Sequence, residues 1–148
     1  MGVITDIQTR LNTLKESSDI STIEYDRLDS INEDAENNYP MCIWRVTGST
    51  DNDIRKTKHY TQYTIDFYLS DIYYSGDTDT IPEKKDYLDE TLMELITSLP
   101  DYDQENRQNT FELVGSSAAE YGWEQHNDEL VVVKRTVTLQ AFKCIDRI

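Results

Sequence analysis

Residues 57–74, which read TKHYTQYTIDFYLSDIYY, form the stretch of this 148-residue chain that decides the fold. Apolar and polar residues alternate along it, and a period of two is typical of a β-strand that buries one face. One set of alternate positions is apolar: Tyr63, Ile65, Phe67 and Leu69. The other set is polar: Gln62, Thr64, Asp66 and Ser70. The pattern predicts one long strand over Thr57–Tyr74.

Aromatic residues occupy both sets of positions in this strand. Tyr63, Phe67 and Tyr73 share one parity, and Tyr60, Tyr68 and Tyr74 share the other. A strand with tyrosines on both faces has two surfaces to cover. We expect one surface to hold the core, while the other fits either a subunit interface, where tyrosine is enriched, or an ordinary exposed sheet surface.

The residues at the N-terminus predict a helix. Apolar residues recur there at three- and four-residue spacing: Ile4, Ile7, Leu11 and Leu14. The helix should end near Ser17–Ser18. Residues 19–38 are predicted to form an acidic connector loop that includes a short extended piece near Ser21–Tyr25. A second helix is the alternative for this segment, because its isoleucines and leucine partly fit a helical stripe.

After the connector, Tyr39–Pro40 precedes Met41–Thr47, whose β-branched and aromatic content predicts a strand. Gly48–Asp53 is expected to be the loop that leads into the long strand. A second helix is predicted over Pro82–Leu99, ended by Pro100. Its buried stripe should consist of Leu88, Leu92, Leu95, Ile96 and Leu99.

The last third of the chain is predicted to be β-structure after a polar loop, Asp101–Thr110. Three strands are expected: Phe111–Gly115, Glu120–Gln125, and a long strand from Glu129 to about Lys143. In the long strand, one face is apolar except for Arg135: Val131, Val133, Val137, Leu139 and Ala141. The opposite face should be wet or at an interface: Lys134, Thr136, Thr138 and Gln140.

These elements predict the α+β class, with an antiparallel or mixed β-sheet packed by two α-helices. The expected element order is α-(β)-β-β-α-β-β-β. The length of the chain and its single series of elements predict one α+β domain over residues 1–148.

The net charge of the chain excludes some classes of function. The chain has 14 Lys and Arg residues against 29 Asp and Glu residues, a formal net charge of −15 at pH 7. A phosphate backbone is held mainly by Lys and Arg, so electrostatic binding of DNA or RNA is excluded as the expected function. Two short windows are basic instead: residues 51–58 and the C-terminal stretch with Lys134, Arg135, Lys143 and Arg147. On an acidic body these windows are candidate docking sites for another acidic subunit.

The composition predicts a soluble protein, made inside the cell. No window approaches the roughly 18 consecutive apolar residues of a membrane span. The N-terminal residues have neither the basic region nor the apolar block of a secretory signal.

Few residues are available for catalysis. His59 and His126 have no metalloprotease, nucleophile or P-loop motif around them, so both are expected to be solvated surface residues. Cys42 and Cys144 lie in separate strand-like stretches without CxxC spacing and are predicted to be buried thiols. A disulfide between them would require their strands to be neighbours.

Two acidic triplets, Asp51-Asn52-Asp53 and Asp77-Thr78-Asp79, resemble fragments of a calcium-binding loop. Both lack the glycine and the distal bidentate glutamate of an EF-hand, so they are predicted to be ordinary turns. The sequence therefore predicts a non-enzymatic protein with no cofactor site and no metal site.

The order and spacing of the elements resemble those of the tail-terminator and tail-completion proteins of tailed bacteriophages. The likeness rests on the N-terminal helix, the acidic connector that ends in Tyr39–Pro40 before a strand, the long aromatic strand, the second helix and the terminal β-region. It implies a virion structural subunit of the neck or tail, made in the host cytoplasm. Such subunits form a homo-oligomeric ring, typically a hexamer, around the DNA channel between the head connector and the tail.

In such a ring, an acidic inner surface would let genomic DNA slide without specific binding. By position in the resemblance, subunit contacts would come from the loop Gly48–Lys58, the turn Tyr73–Thr80 and the polar face of the final strand. The implied interface residues are Asp51, Asp53, Arg55, Lys56, Lys58, Tyr73, Tyr74, Asp77, Lys134, Thr136 and Thr138.

Two other functions remain open on the sequence. One is an acidic DNA mimic that occupies the basic groove of a nucleic-acid-binding protein and inhibits it. A mimic should align its acids along one face, whereas Lys and Arg are interspersed in every third of this chain. The other is a small α+β domain that binds a peptide or a small molecule.

Overall fold

The predicted long strand lies at the centre of the structure, a computed structural model that describes residues 3–25, 39–52, 58–72, 81–103, 108–125 and 129–144. Two helices are present in these ranges: α1 (Val3–Lys15) and α2 (Ile81–Thr97). The strands are β1 (Thr22–Tyr25), β2 (Met41–Asn52), β3 (Lys58–Ile72), β4 (Asp101–Asp103), β5 (Gln108–Gln125) and β6 (Glu129–Cys144). The α+β class is confirmed.

The six strands form one sheet in the order β1-β2-β3-β6-β5-β4. β3 pairs antiparallel with β2 on one side and with β6 on the other, from Lys58↔Cys144 to Ile72↔Leu130. β1 pairs parallel with β2, which makes the sheet mixed. The β3–β6 pairing joins the two halves of the chain, so every other strand is placed relative to this pair.

The main hydrophobic core lies between the two helices and one face of the sheet. The predicted apolar positions of β3 and β6 all contribute to it, and Tyr63 packs against its margin. The predicted stripe of α2 is confirmed, because Leu88, Leu92, Leu95, Ile96 and Leu99 are all buried. In α1 the stripe is narrower than predicted: Ile7 and Leu11 are buried, Leu14 is partly buried, and Ile4 is 40% exposed.

Trp44 of β2 fixes α1 on the sheet. Its indole Nε1–H donates to Gln8 Oε1 at 2.6 Å. Its ring lies edge-on to Tyr25 at 4.7 Å between centroids and stacks on Phe67 at 6.4 Å. Because the buried indole N–H has a hydrogen-bond partner, its desolvation is offset, and a large aromatic residue can fill this part of the core.

Two ion pairs fix α2 on the same face. Arg135 interrupts the apolar face of β6 as predicted, and its guanidinium donates to both carboxylate oxygens of Asp89 at 2.8 and 2.7 Å. Lys84 contacts Asp71 at 2.9 Å near the start of the helix. The bidentate Arg135–Asp89 pair therefore occupies a position where the core would otherwise hold an apolar residue.

Several predicted boundaries were wrong. Gly48–Asn52 continues β2 beyond a bulge between Val46 and Gly48, because residues 48–52 pair with β3. The predicted polar loop Asp101–Thr110 contains β4 and the start of β5.

The two predicted strands Phe111–Gly115 and Glu120–Gln125 are one strand, β5. Their Gly-Ser linker is absorbed as an irregularity between Val114 and Ala118, while β6 pairs on both sides of it. The connector is partly described: Thr22–Tyr25 is a strand and not the alternative helix, and residues 26–38 lie outside the described ranges.

The two cysteines do not lie on neighbouring parts of the sheet. Cys42 pairs with Leu69, and Leu69 pairs with Val133, which is eleven residues before Cys144 on β6. At about 3.3 Å per residue, this places the two cysteines roughly 36 Å apart along the sheet, far beyond disulfide reach. Cys42 is a free, buried thiol, as predicted.

We expect Asp89→Asn to lower the free energy of unfolding by about 3 kcal/mol, because it leaves a largely buried guanidinium without its counter-ion. The matched control is the double substitution Asp89→Leu with Arg135→Met, which should unfold within about 1 kcal/mol of the parent protein. Urea unfolding followed by circular dichroism measures both. An unchanged midpoint for Asp89→Asn would show that the pair does not hold α2.

Candidate functional site

The face of the sheet opposite the helices is the candidate functional site, and we call it the second face. It carries the polar positions of β3 and β6 that the sequence predicts to be wet or at an interface. At one end it holds a small apolar cluster of buried residues: Tyr39, Met41, Ile43, Ile72 and Val132. The sheet therefore buries apolar side chains on both of its faces.

Asp66 lies at the centre of the second face and is only 6% exposed. Its Oδ1 accepts a hydrogen bond from the Thr136 hydroxyl at 2.7 Å. Its Oδ2 lies 3.7 Å from Lys134 Nζ and 4.0 Å from Arg45 Nε. The strand register explains this grouping, because Asp66 pairs with Arg45 on β2 and with Thr136 on β6. Two cations therefore share one nearly buried carboxylate.

Tyr68 lies between the same two cations. The Lys134 ammonium lies 5.5 Å from the centroid of its ring and the Arg45 guanidinium 5.8 Å from it, both within cation–π range. Arg45 Nη2 also lies 3.4 Å from the Tyr68 hydroxyl. We call Arg45, Asp66, Tyr68, Lys134 and Thr136 the central network. Its three charged groups carry a formal charge of +1 on a chain of −15.

In the part of the chain that the structure describes, no helix packs on the second face, and its polar side chains are only partly exposed. Lys134, Thr136, Thr138 and Gln140 are each half-buried. Gln62 donates to Gln140 across β3 and β6 at 3.1 Å. Half-buried polar side chains that already bond one another form a surface that can pack against another protein without leaving buried groups unpaired.

The structure groups only part of the predicted interface set. Lys134, Thr136 and Thr138 share the second face. Asp51 and Lys58 lie in β2 and β3 at the far end of the sheet, where the structure describes only their backbone. The remaining predicted interface residues lie outside the described ranges: Asp53, Arg55, Lys56, Tyr73, Tyr74 and Asp77.

Three members of the central network were not predicted as site residues: Arg45, Asp66 and Tyr68. The sequence placed Asp66 and Tyr68 on the polar parity of β3, but it could not give the register that brings β2 and β6 beside them. The signal that the sequence did contain was one charged residue in each of three predicted strands: Arg45, Asp66 and Lys134.

The outer side of α2 carries a second charged feature. Four of its exposed residues are acidic and recur at three- and four-residue spacing: Glu83, Asp86, Glu90 and Glu94. Tyr87 is 41% exposed on the same side, and its hydroxyl donates to Asp19 at 3.0 Å. Partial burial and the Asp19 carboxylate both raise the pKa of Tyr87, so it stays neutral at physiological pH.

Cys42, the thiol predicted to be buried, is in an environment that disfavours its reactive thiolate form. Burial raises the pKa of Cys42 to about 12, so almost none of it is thiolate at neutral pH. Within the described ranges, no group of three or more His, Cys, Asp and Glu residues could hold a metal ion. The side chain of His59 and the whole of His126 lie outside what the structure describes.

Neither a family model nor a curated protein matches this chain. Among the helices that the structure describes, none is long and apolar enough to cross a membrane.

We expect Asp66→Asn to lower the free energy of unfolding by about 1–3 kcal/mol, because two neighbouring cations lose their shared counter-ion. The matched control is Glu112→Gln, which removes one negative charge from an exposed position and should change stability by less than about 0.5 kcal/mol. Urea unfolding compares the two variants. Equal midpoints would mean that the central network does not stabilise the sheet.

Proposed function

We propose that the protein is a non-enzymatic structural subunit of a phage neck or tail, a tail-terminator or tail-completion protein. In this proposal it forms a homo-oligomeric ring, a hexamer or a ring of higher symmetry, around the DNA channel. Its other partners are the head-connector and tail proteins above and below the ring, in the virion.

The observation that carries the proposal is the second face. One side of the sheet is covered by the helices, whereas the other side presents half-buried threonine, glutamine, tyrosine and paired charges. Tyr and Arg are enriched where proteins contact one another. In a chain of −15, a subunit contact needs a surface that is locally not acidic, and the central network supplies one.

The overall charge supports passage of DNA and not binding. A ring of such subunits carries many excess carboxylates, which repel phosphate at long range. Salt shortens this repulsion, because the Debye length falls from about 10 Å at 0.1 M to about 3 Å at 1 M. The same screening reduces the repulsion between subunits and should favour assembly.

The acidic DNA mimic is the second candidate, and the row of acids on α2 is the observation that favours it. From Glu83 to Glu94 the row covers about 16 Å of helix. Duplex DNA carries about ten phosphate charges over that length, against four on the helix. The row therefore has less than half the charge density of the duplex it would imitate, so the ring subunit is the better-supported function.

The ring predicts a discrete mass. Light scattering on the purified protein, at several concentrations and from low to high salt, should show one oligomer of about six or more 17.3-kDa chains, favoured by salt. A monomer under every condition would contradict self-assembly and favour the mimic.

Two matched variants test the second face as a contact. Thr138→Glu adds a charge to that face, and Thr13→Glu adds the same charge to the exposed side of α1. We expect Thr138→Glu to shift assembly to higher protein concentration, while Thr13→Glu assembles as the parent does. Equal assembly of both variants, with unfolding midpoints unchanged, would remove the second face from the interface.

A further inference from the structure

The long strands β2 and β5 lie next to the short edge strands β1 and β4, which pair with only part of them. β1 pairs with β2 along Met41–Trp44 alone. β4 pairs with β5 only at Gln108, Asn109 and Phe111. In the part of the chain that the structure describes, Arg45–Asn52 of β2 and Glu112–Gln125 of β5 therefore have no strand on their outer side.

Open edges are costly features of a sheet. Among the described residues, no strand pairs with their outward N–H and C=O groups, and groups of this kind can pair with another chain. Each open edge also contains an irregularity, between Val46 and Gly48 in β2 and between Val114 and Ala118 in β5. Residues 48–52 and 118–125 remain as regular segments, long enough for several backbone hydrogen bonds each.

The directions of the strands make the two edges complementary. β2, β3, β6 and β5 are successive antiparallel neighbours, so β5 runs opposite to β2. When two copies stand side by side in the same orientation, β5 of one copy therefore lies antiparallel to β2 of the next. Antiparallel addition of a strand is the usual way in which an open edge is extended.

The positions of the short edge strands β1 and β4 also allow this arrangement. The register Asp51↔Thr61↔Ala141↔Phe111 shows that residues 48–52 of β2 lie at the same end of the sheet as β4. Residues 118–125 of β5 lie toward the opposite end of the sheet. Pairing the two regular segments shifts the second copy by about seven residues, or roughly 23 Å, along the strands. With this shift, the paired segments do not overlap the short edge strands. β4 of one copy lies beyond one end of the new pairing, and β1 of the next copy lies beyond the other end.

Charge favours this pairing over a two-fold pairing of β5 with itself. The open edge of β5 carries Glu112, Glu120 and Glu124 and no basic residue. Two copies of it would place six acids on adjacent strands, where like charges are destabilising. The open edge of β2 carries Arg45 and Asp51 and is formally neutral. A two-fold pairing would also leave the edge of β2 uncovered.

We infer that the occupant of each open edge is a second copy of this chain, with β5 of one subunit paired antiparallel to β2 of the next. The sheet then continues from subunit to subunit by a head-to-tail contact, which closes into a ring or extends as a filament. A staggered sheet closes only when its strands tilt relative to the ring axis, as in a β-barrel. This inference deepens the proposed function and rests on it for the ring.

Cysteine cross-linking between differently labelled copies tests the pairing. The background is Cys144→Ser, with Cys42 kept because it is buried and unreactive. One protein carries Thr50→Cys at an exposed position of β2. A set of partner proteins carries Glu120→Cys, Tyr121→Cys or Gly122→Cys on β5, because these positions lie opposite Thr50 at a shift of six to eight residues. Each pair is mixed, oxidised mildly and run on a non-reducing gel.

We expect a heterodimer between Thr50→Cys and at least one β5 variant, in several-fold excess over either homodimer. The matched control replaces Thr50→Cys by Thr13→Cys on the exposed side of α1, and it should give no such heterodimer. A chain that carries both edge cysteines should give a ladder of products that stops at the size of the ring.

Three outcomes would overturn the inference: no heterodimer with any β5 variant, a dominant β5 homodimer, or an equal yield with Thr13→Cys. If light scattering shows a discrete ring while cross-linking fails, the inference is wrong and the proposed function stands. If the edge heterodimer forms while the ladder continues without limit, the edge pairing is right and the closed ring is wrong.

Discussion

The antiparallel pairing of β3 with β6 is the constraint on which the rest of the structure depends. It runs along the whole of β3 and joins residues that are 58 to 86 positions apart in the chain. Apolar and polar residues alternate along most of both strands, so a register slip of one residue would move most apolar side chains of one strand to the wrong face. The register therefore defines the helix-covered face and the second face together.

Charged residues near the core connect each face of the sheet to a neighbouring element. Arg135 is placed on the apolar face of β6, and the bidentate contact with Asp89 of α2 makes that position tolerable. Asp66 is placed on the second face and is surrounded by Arg45, Lys134 and Thr136. Ion pairs of this kind contribute little net stability compared with apolar packing. They do penalise any alternative register, because each would leave a charge unpaired.

The sequence predicted the features that depend on local periodicity. The buried stripe of α2, the two faces of β3 and the interruption by Arg135 follow from spacing alone. It did not predict β5 as one strand, because Gly115-Ser116-Ser117 has the composition of a loop. The strand is continuous because β6 pairs with the residues on both sides of this tripeptide. The central network was missed for the same reason: Arg45, Asp66 and Thr136 are on three strands, and pairing between distant segments leaves no local signal.

A second face whose central network is not acidic, and two complementary open edges on an acidic subunit, together support the proposed ring around a channel. Electron cryomicroscopy of the protein, assembled at high salt, tests that ring most directly. We expect class averages of a closed ring with a central opening and with a strand-continuous contact between neighbouring subunits. Compact two-fold dimers without an opening, or separate monomers, would contradict it.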